Sequence, residues 1–265
     1  MKSGDKRSGR LAWIWVALVW LGIWQGAYLL VGQDLLLASP WQVLCRLSLQ
    51  SVRASFWLTV LYSFLRIQAG FLLGLACGTL LAVLTVRLPW ARRFFHPAIS
   101  AIRSTPVASF IILALVWMSH NRVVVFIVFL MVLPIVWRNV AEGIETTDPL
   151  LLQMGHVFHL SRLQVVRAIY VPSVAPFFVT AATTSLGLGW KAGIAAEVLS
   201  RPPLSLGGQL YDAKIYLETA DLLAFTAVVI VISLALEHLL MALFRQAGRL
   251  FQRRGITGRK AGPAA

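Results

Sequence analysis

The sequence predicts an all-α polytopic membrane protein with six transmembrane helices and both termini in the cytoplasm. Three observations support this: the composition, the long apolar runs and the placement of the basic residues. Of 265 residues, 58% are hydrophobic and 13% are charged, whereas a soluble domain has about 25% charged residues. The mean hydropathy is +0.77. So little polar cover excludes an ordinary soluble enzyme and a disordered chain.

Six stretches are long and apolar enough to be candidate spans, given that a transmembrane helix needs about 20 mostly apolar residues. They are residues 11–31, 67–86, 104–121, 123–137, 168–190 and 222–236. The apolar character extends back to residue 56 in the second span, and on to residues 198 and 244 in the last two. The first span could be mistaken for a secretory signal. Its apolar run is longer than an h-region and no cleavage site follows before Gln33, so we interpret it as retained.

The basic residues set the predicted orientation, because cytoplasmic loops hold the excess of Lys and Arg. With the N-terminus inside, sixteen basic residues fall in cytoplasmic segments and five in external ones. Residues 1–10 and the basic tail 245–265 are therefore predicted to be cytoplasmic, on either side of a first span and a five-helix core at 56–244. The formal charge of +14 then indicates contact with anionic lipid and not with nucleic acid.

Small residues predict where the helices pack. Glycine recurs at every fourth position in the second span, at Gly70, Gly74 and Gly78, and the fifth span has Gly189 and Gly193 at the same interval. Such a stripe lets two helix backbones approach closely, which drives helix association in lipid. We expect both stripes to be packing surfaces.

The fifth span also carries ionisable groups, which are costly in a membrane and tend to face a partner or a water-filled path. Lys191 and Glu197 lie six residues apart and so on different helix faces. Lys191 therefore needs an anionic solute or another acid such as Glu237, unless it snorkels to the headgroups. The candidate substrate-pathway residues are Arg103, Thr184, Trp190, Lys191 and Glu197.

The longest loop, residues 138–172, lies on the basic side. Asp148 followed by proline is a helix-start signature, and apolar residues then recur at helical spacing. Ser161 predicts the start of a second short helix, which Pro172 is expected to close before the next span. Two amphipathic helices could lie on lipid or dock in the groove of a soluble partner. Few basic residues serve this loop, which favours docking.

Catalytic and metal-binding motifs are missing from the sequence. It has no phosphate-binding loop, nucleophile elbow or HExxH motif, so we predict no enzyme activity. His156 and His159 share a helix face without a nearby carboxylate or cysteine, and no metal site is predicted. An ion-coupled secondary transporter stays the alternative, although no repeat relates residues 11–137 to 138–244. A membrane enzyme would need convergent His, Asp or Glu in its spans.

Several segments, in order, resemble the permeases of binding-protein-dependent ABC transporters with a MetI-like transmembrane domain, of the nitrate/sulfonate/taurine type. They are SFLRIQAGFLLGLACG, HPAISAIRSTPVASFIILALVW, VLPIVWRNVAEGIETTDPLLLQMGHVF, SRLQVVRAIYVPSVAP and GLGWKAGIAAEVL, and the resemblance covers roughly residues 63–250. The family loop has a Glu-Ala-Ala triplet, a later glycine and an Ile-x-Leu-Pro ending. In this chain the triplet positions hold Gln153, Met154 and Gly155, and the glycine position holds His159. The ending is kept, with valine for leucine.

The resemblance implies that the loop is a coupling helix inserted into a separate ATPase subunit. The implied coupling residues are Asp148, Leu151, Gln153, Met154, Gly155, Phe158, His159, Ser161 and Pro172. It further implies a permease homodimer in the inner membrane, with two ATP-binding ABC subunits and an extracytoplasmic solute-binding protein. ATP and Mg would be held by the ATPase, with no cofactor on this chain. The solute would be a small anion such as a sulfonate, taurine or nitrate.

Overall fold

A computed structural model describes the backbone of residues 5–257 and the side chains of residues 15–246, and within these limits every regular element is a helix. The predicted segment 1–10, and the basic tail from residue 247, lie outside the described side chains. The helices are α1 Asp5–Val31, α2 Pro40–Ser51, α3 Ala54–Arg87, α4 Pro89–Ser104, α5 Val107–Trp117, α6 His120–Glu145, α7 Pro149–Val157, α8 Arg162–Val165, a π-helical turn Val166–Tyr170, α9 Val171–Ser200, α10 Leu206–Ile215 and α11 Thr219–Thr257.

The core is the contact of α3 with α6, and the glycines of α3 allow it. A Cβ atom added at Gly70 would lie 2.8 Å from the Cβ of Val128, and one added at Gly78 would lie 2.9 Å from that of Val136. Gly74, midway between them, faces α6 equally closely. No side chain fits at these distances, so the backbone of α3 packs directly against a row of valines on α6. The contacts follow the same chain order in both helices, which shows that α3 and α6 are parallel.

The same row of valines on α6 also packs against α9, which runs antiparallel to α6. Gly189 lies against Val132, and a Cβ added at Gly193 would lie 2.7 Å from Ile67 Cγ1 of α3. Trp190 is fully buried, and its indole nitrogen donates a hydrogen bond to the carbonyl oxygen of Val229 in α11. The α9 helix thus joins α3, α6 and α11 into one bundle.

Four helical stretches are long and apolar enough to span a membrane in the described part of the chain. They are Ala54–Arg87, His120–Glu145, Arg162–Ser200 and Thr219–Gln246. A fifth candidate is the pair α4 and α5, which are bent by 107° and form a broken span or a re-entrant segment. The apolar stretch Trp15–Val31 of α1 is shorter. The structure therefore supports four or five spans by length, fewer than the six predicted.

The predicted span 104–121 is not one straight helix. Helix α4 ends at Ser104, and α5 has only 11 residues, about 16 Å by the α-helical rise against a hydrocarbon core of about 30 Å. The break has a local cause: proline disfavours helical geometry in the residue before it, and Thr105, which precedes Pro106, is extended at ψ 133°.

The prediction that Pro172 ends a separate short helix is also wrong. From Arg162 the chain continues without a break through α8, the π-helical turn and α9. The N–H of Val171 donates to the carbonyl of Val166, five residues back. A π-helical turn of this kind widens the backbone locally, and it accommodates a proline that would otherwise strain a regular helix.

The bundle has two ends, which we name by what they carry. The loop end carries α7, and α3 and α6 both end there. The cap end carries α2 and α10, and the imidazole Nδ1 of His120, at the start of α6, contacts the carbonyl of Ser200 there.

Candidate functional site

The loop end presents a short helix whose start is set by local hydrogen bonding. The Asp148 carboxylate accepts a hydrogen bond from the Leu150 N–H at 2.8 Å, and Pro149 occupies the first turn of α7. Gly155 is buried against the π-helical turn, where an added Cβ would lie 3.2 Å from the side chain of Ile169. Helix α7 therefore lies on the long helix 162–200.

The turn after α7 depends on one unusual backbone conformation. His159 has a φ of +52°, which is uncommon for a residue other than glycine, and its N–H donates to the His156 carbonyl at 3.0 Å. His159 thus occupies a left-handed position, the conformation expected of a glycine there. Ser161 then caps α8 through reciprocal hydrogen bonds with Gln164.

The outer side of this loop is exposed and carries both polar and large apolar side chains. Gln153, His156 and His159 are exposed on it. Its large exposed hydrophobic side chains are Leu150, Leu151, Met154, Val157, Phe158 and Leu163. Val157 is 74% exposed and Phe158 is 69% exposed. We call this set of exposed apolar side chains the α7 surface.

At the cap end, the predicted pathway residue Glu197 is fully buried in a hydrogen-bond network. Its Oε1 accepts from Arg66 Nη2 at 2.8 Å and from Nε at 3.2 Å. Its Oε2 accepts from the Ser63 hydroxyl at 2.8 Å and from the Gly207 N–H at 3.1 Å. Both oxygens of the Glu197 carboxylate accept hydrogen bonds from protein donors, so the structure does not place this side chain along an open path.

Arg66 extends this network to the chain between α9 and α10. Its guanidinium donates to the carbonyls of Pro203 at 3.1 Å and Leu204 at 2.7 Å, and to Asn121 at 3.1 Å. Sequence reasoning left Arg66 without a role. The sequence did contain a signal for this pair, because a basic residue and an acidic residue in two different spans tend to pair with each other in a membrane.

The other candidate pathway residues are dispersed. Trp190 is buried between helices, whereas Thr184 and Lys191 are exposed on α9. Among the described side chains, Lys191 has no carboxylate within 4.0 Å, Glu237 included. Arg103 lies near the loop end, beside a cavity between α4 and α6. The structure therefore does not gather the five candidates into one site.

Comparison with known proteins agrees with this architecture. Residues 70–252 match the family described as binding-protein-dependent transport system inner membrane component. The taurine transport system permease protein TauC of Escherichia coli is 24% identical, over 90% of this chain and 93% of TauC. The nitrate import permease protein NrtB of Synechococcus elongatus is 26% identical, over 74% of this chain and 73% of NrtB.

A solved structure shares the fold. The MetNI methionine ABC transporter, in an inward facing conformation, superposes with a TM-score of 0.54 at 19% identity, over 73% of this chain and 93% of the matched chain. The family match alone covers more than half of the sequence. The chain therefore belongs to the family of binding-protein-dependent transport system inner membrane components, as a multi-pass permease subunit of an ABC importer in the inner membrane.

Proposed function

We propose that this permease works as a homodimer that imports a small anion, and that its α7 surface docks on a separate ATP-binding subunit. The observation that carries the proposal is the α7 surface itself, a row of large apolar side chains left open on a helix with a well-defined start. Helix-in-groove binding uses such a face. ATP and Mg²⁺ belong to that partner, and this chain binds no cofactor.

The orientation follows from charge. The loop end carries Arg87, Arg92, Arg138 and Arg162, among other basic residues, and cytoplasmic segments hold the excess of Lys and Arg. The loop end is then cytoplasmic, as are both termini, and the cap end faces the solute-binding protein outside. In this arrangement α1 is the first of six crossings, and the bent pair α4 and α5 is the third.

The geometry supports a mechanical connection between the two ends. Helix α7 rests through Gly155 on a continuous helical stretch, Arg162–Ser200, that has 39 residues and a length of about 58 Å. Glu197 near its far end is bonded to α3 and to the segment before α10. A displacement of α7 by the ATPase can therefore reach the cap end through one continuous helical stretch, as a two-state switch requires.

The solute class is supported by the relatives. TauC is a taurine permease and NrtB a nitrate permease, and taurine and nitrate both present negatively charged oxygens. Lys191, exposed on α9 without an acidic partner among the described residues, is the group we propose to meet this charge in the pathway. A small oxoanion or sulfonate is thus the solute to test first.

Co-purification tests the docking. Leu151→Glu or Phe158→Glu places a charge in the interface, and the ATP-binding subunit should be lost from the complex while the permease still inserts. Leu36→Glu, near the cap end, is the matched control because Leu36 is 67% exposed and Phe158 is 69% exposed, and this variant should retain the ATP-binding subunit. Full association of both α7 variants would refute the docking. Ion-coupled uptake by the chain alone in liposomes would instead show a secondary transporter.

A further inference from the structure

The loop end contains a polar cavity that is separate from the α7 surface. It has a volume of about 390 Å³ and lies between α4 and α6, with the end of α3 contributing to its wall. Its ionisable lining residues are Arg92, His96, Arg103, Arg138, Glu142 and Glu145. Neither the transport path nor the docking of a partner accounts for this concentration of charge in one concave place.

Helix α4 is built to present its polar side to this cavity. Arg92, His96 and Arg103 recur at intervals of four and seven residues, which places them on one helix face, and all three line the cavity. The opposite face carries Trp90 and Phe94, which are 63% and 69% exposed. The amphipathic pattern of α4 therefore places its basic side chains on the face that lies toward α6.

The floor of the cavity is fixed by a buried tryptophan. The indole nitrogen of Trp137 donates to the Thr85 hydroxyl at 2.9 Å, which ties α6 to α3. The imidazole of His96 packs edge-on against the same indole, with ring centroids 6.2 Å apart. The wall at this point is rigid, and His96 lies within the cavity as a further polar group.

Two arginines of the cavity form no ion pair with any described carboxylate. Arg92 is paired with Glu145, with Nη1 and Oε1 2.5 Å apart. Within the described part of the chain, Arg103 and Arg138 have no carboxylate within 4.0 Å, and the one other lining acid is Glu142. Two guanidinium groups from different helices thus face a single cavity with an excess of positive charge.

We propose that this cavity binds a small oxoanion between Arg103 and Arg138. The planar guanidinium fork matches the oxygen pairs of phosphate, sulfonate and carboxylate groups, and a ligand held by both would join α4 to α6. The same chemistry is offered by a free oxoanion and by the headgroup phosphate of an anionic phospholipid. The site does not depend on the docking of α7 or on the identity of the imported solute.

Binding of inorganic phosphate to the full-length chain, delipidated in an uncharged detergent, tests the site by calorimetry at constant ionic strength. We expect saturable binding that Arg103→Gln or Arg138→Gln weakens at least tenfold. Arg93→Gln is the matched control because Arg93 is exposed on the same helix but does not line the cavity, and it should change the affinity less than twofold. Glu142→Gln should tighten binding severalfold, a gain that misfolding cannot imitate.

Native mass spectrometry with phosphatidylglycerol and phosphatidylcholine separates the two sources. Retention of phosphatidylglycerol that depends on Arg103 and Arg138, without saturable phosphate binding, identifies a lipid headgroup as the ligand. Saturable phosphate binding with the same dependence identifies a free oxoanion. If neither ligand is affected by the two arginines, or if Glu142→Gln leaves affinity unchanged or lower, the proposal is overturned.

Discussion

Removing the Arg66 side chain should destabilise the cap end more than any exposed charge change. Arg66→Met leaves Glu197 as a buried carboxylate without a counter-charge, and it also removes the donors to Pro203 and Leu204. The side chains of the pair are 10% and 0% exposed, so solvent screens the interaction little. Breaking a buried ion pair from one side costs about 3–5 kcal/mol.

The assay is denaturant unfolding in detergent micelles, followed by the fluorescence of the ten tryptophans. Because Arg66→Met is expected to lower the yield of folded protein, Glu197→Gln is the milder variant. It leaves Arg66 its hydrogen bonds to the carbonyls of Pro203 and Leu204. It should lose about 1–1.5 kcal/mol, the difference between a hydrogen bond to a charged group and a neutral one. The double variant Arg66→Met/Glu197→Gln should be more stable than Arg66→Met alone, because it removes the orphaned charge.

The exposed ion pair of Arg201 with Asp212 is the control. Its atoms are 2.6 Å apart, but the two side chains are 52% and 41% exposed, so Asp212→Asn should cost no more than about 1 kcal/mol. If Arg66→Met costs as little as Asp212→Asn, or if the effects of the two cap-end substitutions simply add, the reasoning about the buried pair is refuted.

Two further predictions concern helix packing and the turn between α1 and α2. Gly74→Ala should destabilise the fold by about 1–3 kcal/mol through overpacking, since the new Cβ would lie 2.6 Å from that of Val132. Gly22→Ala is the control and should not destabilise the fold, because a Cβ at Gly22 would have nothing within 4 Å. Equal stability of the two variants would contradict the α3–α6 packing. The Tyr28 hydroxyl donates a hydrogen bond to Asp34 at 2.8 Å, which lowers the pKa of the Asp34 carboxyl. The stability that this hydrogen bond adds is therefore present above the pKa of Asp34 in the unfolded state, and it is lost as the pH falls through the pKa in the folded state. Tyr28→Phe should raise the Asp34 pKa in a carbon-13 NMR titration, and an unchanged pKa would show that the hydrogen bond does not form.

Features of the fold that depend on local sequence were predicted well. The apolar runs correspond to α3, α6, α9 and α11, and the caps at Asp148 and Ser161 require only residues within one turn. The boundaries were less accurate. The prediction for the fourth span stopped before Arg138, whereas α6 continues to Glu145, because an exposed arginine on a helix surface does not end the helix.

Long-range pairing could not be predicted in this way. Arg66 and Glu197 are 131 residues apart in the chain. A basic and an acidic residue in two spans tend to pair, but the pattern of neither span indicates which partner each of them takes. The break at Pro106 was equally hidden, because prolines occur in many transmembrane helices that do not break. The sequence therefore predicted the helices and the loop, while the buried network and the cavity required the three-dimensional structure.

The central claim is that the α7 surface faces the cytoplasm, where a nucleotide-driven partner can reach it. Cysteine labelling in right-side-out spheroplasts measures this directly, in a background where Cys45 and Cys77 are replaced by alanine. Gln153→Cys reports on α7 and Ser48→Cys on the cap end, and both positions are exposed. With a membrane-impermeant maleimide, we predict labelling of Ser48→Cys in intact spheroplasts and of Gln153→Cys only after permeabilisation. Labelling of Gln153→Cys before permeabilisation would contradict the account.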